Sequence, residues 1–217
     1  MYMKKKIKVV AIIPIKKNSK RVTGKNFKII KNKPLYRYLL DKLKSCKFDE
    51  IYVDSDSKEI KNYCIKNKYN FINRKKSLKK DSANGNHLLN YHSKIISADI
   101  YFQLFVTAPT LKIKTINSCI EKLKKDNKYD SILTANKIYT WFWFNKKPVN
   151  YNPQTLPRSQ DAQPIVMETT GLYGIRSKAL KKKKCRIGYK PFFYYVDKNE
   201  SVDLDTKQDF KNLKNYL

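Results

Sequence analysis

A cationic loop follows the first apolar run of the chain, in the sequence KVVAIIPIKKNSKRVTGKNFKII. The loop contains Asn18, Ser19, Thr23 and Gly24. Its basic residues are Lys16, Lys17, Lys20, Arg21 and Lys25. A rigid strand that ends in backbone N–H donors, hydroxyls and fixed positive charge makes a place for phosphate groups. The glycine spacing fits neither a P-loop nor a dinucleotide fingerprint. Spacing alone therefore leaves a phosphate site and a solvated basic loop as two open interpretations.

Two carboxylates stand close together near the other end of the chain, in the sequence Ser-Val-Asp-Leu-Asp-Thr. On an extended strand, Asp203 and Asp205 would point to one face, and Val202 and Leu204 would point into the core. Such a pair can hold a hard divalent ion such as Mg²⁺ together with phosphate oxygens. The alternative is a solvated edge strand, and in both cases we expect Thr206 to cap the helix that follows.

An arginine is placed in a loop bounded by prolines, in the sequence Pro-Arg-Ser-Gln-Asp. Arg158 there suits a carboxylate or a phosphate, which it can hold with two hydrogen bonds. An ion pair that anchors the loop is an equal alternative. Aromatic residues precede this loop, from Trp141 to Phe144, and we expect them in a core or a subunit interface rather than under stacked bases.

The charge of the chain is extreme. Its formal net charge is +30, with 48 basic residues among 217, but only six of them are arginines. Proteins that recognise nucleic acid tend to use arginine for their contacts. The residues that are abundant here, Lys, Asn, Ile and Tyr, have A/T-rich codons. We interpret the charge mainly as compositional drift and expect no specific nucleic-acid partner, although a basic nucleic-acid-binding protein remains the non-enzymatic alternative.

Cysteine and histidine usage argues against a structural metal site. The four cysteines form no C-x-x-C pair, and the two histidines, His87 and His92, are five residues apart. This predicts free thiols in a reducing compartment and histidines in the core or on the surface. No apolar run approaches the length of a membrane span, so we expect a soluble, cytoplasmic protein without a membrane partner.

Apolar strand-like runs alternate with helix-like segments, which predicts an α/β fold with a mostly parallel sheet flanked by helices. Predicted strands are Val9–Pro14, Ile51–Val53, Asn70–Ile72, Ile100–Val106, Ser131–Asn136, Met167–Ile175 and Pro191–Val196. Predicted helices are Leu35–Ser45, Glu59–Asn67, Asn86–Ser97, Ile113–Lys124 and Thr206–Leu217. Ligands of such sheets bind beyond the carboxyl ends of the strands, so the loops after Pro14, Val53, Val106 and Ala135 should converge on one crevice. We expect one domain over residues 1–217.

Taken in order, the segments resemble the acylneuraminate cytidylyltransferases and relatives that activate other keto-sugar acids. The segments that carry the resemblance are AIIPIKKNSKRVTGKN, KPLYRYLLDKL, IYVDSDSKEI, Arg74 followed by Asp81-Ser82, VTAPTLKIKTI, LPRSQDAQPIVMETTGLYGI and SVDLDTKQDF. The resemblance implies a Rossmann-like fold of the nucleotide-diphospho-sugar transferase type. It also implies a reaction in which the anomeric hydroxyl of a sialic-acid-like (nonulosonic) keto-sugar acid attacks the α-phosphate of CTP and releases pyrophosphate.

The resemblance also implies roles for single residues. Catalytic roles fall to Lys16, Lys25 and Asp205. Nucleotide contacts fall to Lys16, Ser19, Lys20, Arg21, Lys25, Asn26, Arg74 and Ser82. Sugar contacts fall to Gln103, Arg158, Gln160 and Tyr173. Asp203 and Asp205 would bind Mg²⁺. Family members are commonly homodimers, so residues 139–164 are the expected dimerisation and substrate insertion.

The chain departs from the family pattern at three places. Lys16 stands where an arginine is usual, which keeps the charge but loses the bidentate fork. Phe105 replaces a glutamine, and the arginine after Pro109 is missing. Since the last two changes lie on the sugar side, the acceptor could differ from N-acetylneuraminate. A nucleotidyltransferase acting on a sugar 1-phosphate or phosphocholine is the enzymatic alternative.

Overall fold

The computed structural model describes residues 6–19, 22–213 and 216. The strands of this part are β1 (Val9–Ile15), β2 (Ile29–Ile30), β3 (Lys33–Pro34), β4 (Glu50–Ser55), β5 (Asn70–Asn73), β6 (Ile100–Leu104), β7 (Ser131–Ile138), β8 (Trp143–Phe144), β9 (Lys147–Pro148), β10 (Ile165–Arg176) and β11 (Pro191–Tyr195). Its α-helices are α1 (Leu35–Leu43), α2 (Lys58–Asn67), α3 (Gly85–Ile95), α4 (Ile113–Lys125), α5 (Ser177–Lys183) and α6 (Lys207–Asn212).

Seven strands form the central sheet in the order β11-β7-β10-β6-β1-β4-β5. Neighbouring strands are parallel except at β10, which runs antiparallel to both β6 and β7. The mostly parallel α/β fold is thereby confirmed. Helix crossovers of this kind bury both faces of a sheet, which explains why β1 and β6 are apolar almost throughout.

The two faces of the sheet carry separate apolar cores because successive strand residues point to opposite sides. Val9, Ala11 and Ile13 pack with the buried faces of α1, α2 and α4. Val10 and Ile12 pack instead with residues of α3 and α5. Asp54 of β4 and Gln103 of β6 therefore face α3, where they contact His92 and Gly85.

A third, smaller apolar cluster seats the segment that precedes α6. Leu204 is fully buried in it beside Ile30 and Leu35, and Val202 packs against it. The expected alternation with the two aspartates is thus correct, although the segment pairs with no strand of the sheet. Thr206 caps α6 as predicted, since its Oγ1 accepts the Asp209 amide N–H.

Several features go beyond or differ from the sequence expectations. The pattern of Met167–Ile175 predicted a strand but not its reversed direction, and helix α5 was not predicted because its lysines hide a short apolar pair. Four of the six aromatic residues of segment 139–164, which we call the arm, are exposed in the single chain, Phe142 and Tyr151 are half-buried, and none enters the core. The helix predicted up to Leu217 ends at Asn212, and residues 214, 215 and 217 lie outside the described residues. None of the described helices combines the length and apolar composition needed to cross a membrane.

Candidate active site

A pocket of about 420 Å³ opens beyond the carboxyl ends of β1, β5 and β6. Two of the four loops predicted to converge, those after Pro14 and Val106, contribute lining residues, whereas the regions after Val53 and Ala135 supply none of the residues that line the described pocket. Six of the predicted site residues line the pocket: Lys16, Lys25, Asn26, Arg74, Asp203 and Asp205. The fold therefore brings the basic loop and the distant carboxylate pair to one place.

Lys25 and Asp205 join the two ends of the chain. The Lys25 Nζ atom donates a hydrogen bond of 2.8 Å to Asp205 Oδ1, across 180 residues of sequence. Lys25 begins a short 3₁₀ helix that follows Gly24, whose φ of 61° is a left-handed conformation that glycine adopts without strain. Only 14% of the Lys25 side chain is exposed, so its ammonium group is held at the pocket wall, where it can neutralise an anion.

The first basic residue of the loop is held by two contacts. The Asn26 side chain is buried, and its Nδ2 donates 2.8 Å to the Lys16 carbonyl oxygen. The Lys16 Nζ atom pairs with Asp81 Oδ1 at 2.7 Å. Asn26 therefore fixes the loop backbone, and a phosphate would compete with Asp81 for the Lys16 ammonium group. Lys20 and Arg21, the other two cations predicted here, lie outside the described residues.

The carboxylate pair can accommodate a cation. Asp203 Oδ2 accepts 2.6 Å from Thr170 Oγ1, whereas Asp203 Oδ1 is buried and has no hydrogen-bond partner among the described residues. A buried carboxylate oxygen without a donor is costly unless a cation meets it. No described group of three or more acidic, histidine or cysteine side chains could hold a metal, but Mg²⁺ needs only one or two carboxylates when phosphates and water complete its shell. The residues present fit that ion.

Thr170 reaches Asp203 because of an irregularity in β10. The register between β10 and β7 shifts between Glu168 and Tyr173, and Thr170 has a φ of 56°. A β-branched residue in this left-handed conformation is a true outlier. Bulges of this type re-aim side chains beside functional sites, and strain of this type is concentrated there. The bulge turns the Thr170 hydroxyl into the pocket.

Arg74 is held in place by a buried cluster that it forms with Asp54 and His92. Its Nε donates 3.0 Å to Asp54 Oδ1, and its Nη2 donates 3.1 Å to the Asp54 carbonyl oxygen. The His92 Nε2 lies 2.8 Å from Asp54 Oδ2. All three side chains are at most 3% exposed. The cluster fixes the guanidinium group of Arg74 at the pocket wall, and it places His92 in the core.

The two predicted serines border the pocket rather than line it. Ser19 lines a shallow depression that it shares with Lys16 and Asp81. Ser82 lines a cleft on the other side, against His87 and Tyr91 of α3. Their predicted nucleotide contacts stay predictions.

Gln103 and Tyr173 lie behind the pocket wall and are absent from its lining, so their predicted contacts with the sugar stay predictions. Gln103 is fully buried, and its Nε2 donates 3.1 Å to the Gly85 carbonyl oxygen. The Tyr173 hydroxyl donates 2.6 Å to Glu168 Oε2. Burial, with this hydrogen bond, holds the pKa of the Tyr173 phenol far above its usual range. Tyr173 is therefore a neutral platform under the pocket.

Arg158 and Gln160 are not brought to the pocket of their own chain. Arg158 precedes a 3₁₀ turn in the arm, Ser159–Asp161, and Gln160 lies within it. Arg158 pairs loosely with Asp161 at 3.4 Å, and 81% of its side chain is exposed. Within one chain this agrees with the loop-anchoring alternative for Arg158.

Sequence reasoning missed several residues of the site, among them Thr170, Asp54 and Arg186. Arg186 lines the pocket, and its guanidinium carbon lies 3.6 Å from the centre of the Tyr173 ring. Arg186 is one of only six arginines in this lysine-rich chain. The rarity of arginine was the one sequence signal that pointed to Arg186, but the loop that contains Arg186 resembles no motif.

The fold is of the Rossmann-like type, and solved structures that share it carry names of nucleotide-transferring enzymes. The structure of CMP:2-keto-3-deoxy-manno-octonic acid synthetase complexed with CTP superimposes with a TM-score of 0.72 at 16% identity, covering 96% of this chain and 97% of that one. A 4-diphosphocytidyl-2C-methyl-D-erythritol synthase from Anaerococcus prevotii gives 0.69 at 14% identity, covering 97% and 96%. At these identities the likeness shows the fold alone.

The family follows from the sequence comparison. A family model described as cytidylyltransferase matches residues 10–216, and the chain belongs to this family. The pseudaminic acid cytidylyltransferase of Campylobacter jejuni is 28% identical, over 96% of this chain and 95% of that protein. N-acylneuraminate cytidylyltransferase A of Danio rerio and an N-acylneuraminate cytidylyltransferase of Streptococcus agalactiae are each 22% identical, over 93% and 97% of this chain. The chain spans about half the length of the last two relatives, 49% and 54%.

Proposed function

We propose that this protein transfers CMP from CTP to the anomeric hydroxyl of a sialic-acid-like keto-sugar acid and releases pyrophosphate. The observation that carries the proposal is the contact between Lys25 and Asp205, beside Asp203, in a pocket at the carboxyl edge of the sheet. The names of the relatives support the chemistry: N-acylneuraminate and pseudaminic acid are both acceptors of this kind.

The transfer is a single displacement. The anomeric oxygen forms a bond to the α-phosphorus, the bond from that phosphorus to the bridging oxygen breaks, and pyrophosphate leaves with the electron pair. The hydroxyl proton passes to a basic group or to water. There is little covalent work for the protein in such a step, so positioning and charge neutralisation carry the catalysis.

The described residues supply both the positioning and the charge neutralisation. Lys16 and Lys25 would neutralise the triphosphate, and Arg74, held by its buried cluster, would contact the nucleotide. Asp203 and Asp205 would hold Mg²⁺, which when bound neutralises charge on the phosphates. Binding of the triphosphate would take the Lys16 ammonium group away from Asp81.

An acceptor panel tests the activity. Pyrophosphate release from CTP and Mg²⁺ is measured with N-acetylneuraminate, pseudaminate, legionaminate and ketodeoxyoctulosonate, and with a sugar 1-phosphate and phosphocholine as phosphorylated acceptors. We expect turnover with at least one acid. Turnover confined to the phosphorylated acceptors, or no turnover and no CTP binding, would contradict the proposal.

A matched pair of variants tests the metal assignment. Asp205→Asn should lower kcat by at least about 100-fold, since it removes one of the two carboxylates that would hold the ion that neutralises the phosphates. Asp126→Asn is the control, because Asp126 pairs with Lys122 at the end of α4 and lies outside the pocket lining. Full activity of Asp205→Asn would remove the metal assignment.

We also propose that the protein is a homodimer formed through the arm. Trp143 and Phe144 of the arm are 57% and 71% exposed, and Trp141 stacks on Tyr151 with ring centres 5.6 Å apart. Exposed aromatic patches of this kind are typical of association surfaces. A second copy could carry the exposed Arg158 to its partner's pocket.

Mixing two inactive variants tests the shared site. If Arg158 acts in the partner's pocket, Arg158→Ala and Asp205→Asn chains should regain up to about a quarter of the activity when mixed, because one intact composite site forms in each mixed dimer. A monomer by sedimentation at micromolar concentration would refute the dimer, and a dimer without regained activity would place Arg158 elsewhere.

A further inference from the structure

The cationic side chains that line the pocket differ in whether an acidic partner lies beside them. Lys16 pairs with Asp81, Lys25 with Asp205, and Arg74 with Asp54. Arg186 lines the same pocket, yet among residues 6–19, 22–213 and 216 its guanidinium group makes no hydrogen bond and no ion pair within 4.0 Å. A partly buried cation without a counter-charge is unfavourable, and its pocket position leaves five N–H donors available to a ligand.

Arg186 is nevertheless held in place. Its guanidinium group lies over the Tyr173 ring at 3.6 Å and near the Phe105 ring at 5.7 Å. Its backbone N–H donates 2.9 Å to Asn86 Oδ1 on α3, and Asn90 Nδ2 donates 2.6 Å to the carbonyl oxygen of the neighbouring Lys184. Stacking fixes the plane of the guanidinium group and leaves its edge free, which is the arrangement that binds a carboxylate with two hydrogen bonds.

The pocket wall at Gly85 leaves space for the guanidinium group of Arg186. A Cβ atom built on Gly85 would lie 2.7 Å from Arg186 Nη1 and 3.1 Å from Gln103 Oε1. The absence of a side chain at Gly85 is therefore what lets Arg186 occupy its position. Gln103 Oε1 is itself buried without a partner among the described residues, so an unmet acceptor stands beside the unpaired cation.

The location of Arg186 separates it from the phosphate end of the pocket. Lys16 follows β1, and Arg74 follows β5, whereas Arg186 lies over Tyr173 of β10, which pairs with β6. The phosphates of CTP are matched by the lysines and the carboxylate pair. The remaining anionic group of the two proposed substrates is the carboxylate of the sugar acid.

We infer that Arg186 binds the carboxylate of the acceptor sugar acid and so selects acids over neutral sugars. This rests on the proposed function. It gives the chain a cation on the sugar side, where the arginine after Pro109 is missing.

Paired substrates test the inference within each variant. The wild-type protein and Arg186→Gln are assayed with the accepted sugar acid and with its methyl ester, which keeps the anomeric hydroxyl but lacks the charge. Loss of hydrogen bonds to a charged group should raise the KM for the acid about 10- to 100-fold, while the KM for CTP stays within about two-fold. The preference for acid over ester should fall by the same factor, and Arg186→Lys should recover part of it.

Controls separate a binding role from a structural one. Arg37→Gln removes an arginine that pairs with Asp41 on α1, and it should leave both KM values and the acid preference unchanged. Gly85→Ala should lower the acid preference without removing the charge, because its methyl group displaces Arg186. A misfolded variant would lose activity toward acid and ester alike, so the ratio remains informative.

The outcomes are distinct. Turnover of a sugar acid with an unchanged acid-to-ester ratio in Arg186→Gln would overturn this inference and leave the proposed function standing. A KM effect confined to CTP would move Arg186 to the nucleotide and also overturn it. No turnover with any acid would remove the proposed function and this inference with it.

Discussion

Replacing Asp54 by asparagine should destabilise the fold far more than the loss of an ordinary ion pair. Asp54 uses both carboxylate oxygens, one toward Arg74 at 3.0 Å and one toward His92 at 2.8 Å. The side chains of Asp54 and Arg74 are 1% and 3% exposed, so solvent cannot compensate a charge left behind. Removing one partner of such a buried pair costs about 3–5 kcal/mol of unfolding free energy. For a chain of this length that corresponds to a fall in Tm of roughly 6–20 °C.

Denaturant unfolding followed by circular dichroism measures this difference, with Glu121→Gln as the control. Glu121 pairs with Lys47 and Lys125, whose side chains are 61% and 79% exposed, so its loss should cost less than about 1 kcal/mol. A double variant, Asp54→Leu with Arg74→Met, should be less destabilised than the sum of the single changes by more than about 1 kcal/mol, because no unpaired charge remains. An Asp54→Asn protein within 1 kcal/mol of wild type would refute the reasoning.

Gly174→Ala should cost about 1–3 kcal/mol of unfolding free energy, because its Cβ atom would lie 2.5 Å from the Phe102 ring; an unchanged denaturant midpoint would contradict this packing. Burial raises the pKa of the Cys64 thiol to about 11. About 0.1% of it is then thiolate at pH 8, and mass spectrometry should find iodoacetamide on Cys64 only after unfolding; rapid labelling of the native protein would argue against its burial. Thr206→Ala should cost about 1 kcal/mol by removing the cap of α6, seen as faster hydrogen exchange of the first amides of that helix; unaltered exchange would show that the cap contributes little.

The parts of the fold that the sequence predicted are those that a local pattern determines. The apolar run of β1 and the 3.6-residue periodicity of α4 report which face is buried, and the structure places both as expected. The four cysteines are free, as their spacing indicated. Strand direction leaves no such trace, because alternation has the same period in parallel and antiparallel strands. This is why β10 was recognised as a strand while its reversal was not.

The site was predictable only where a motif named its members. Lys25 and Asp205 were singled out from the basic loop and the carboxylate pair, and the family resemblance joined them in one site. Their contact could not be read from spacing because 180 residues separate them. Asp54 was only the first residue after the predicted strand Ile51–Val53, and its burial against His92 depends on α3 packing on the sheet. Arg186 belongs to no motif, and its importance appears only when the partners of the other cations are known.

The reversed direction of β10 explains how one edge of the sheet carries the whole site. A strand parallel to its neighbours would bring its first residues to the amino edge, away from the pocket. Because β10 runs the other way, its first half, including the bulge at Thr170, lies at the carboxyl edge beside Leu104, where the parallel strands end. The same reversal delivers the arm that precedes β10 to that edge. One change of direction therefore supplies the hydroxyl that orients Asp203, the tyrosine under Arg186 and the exposed segment that a second copy can meet.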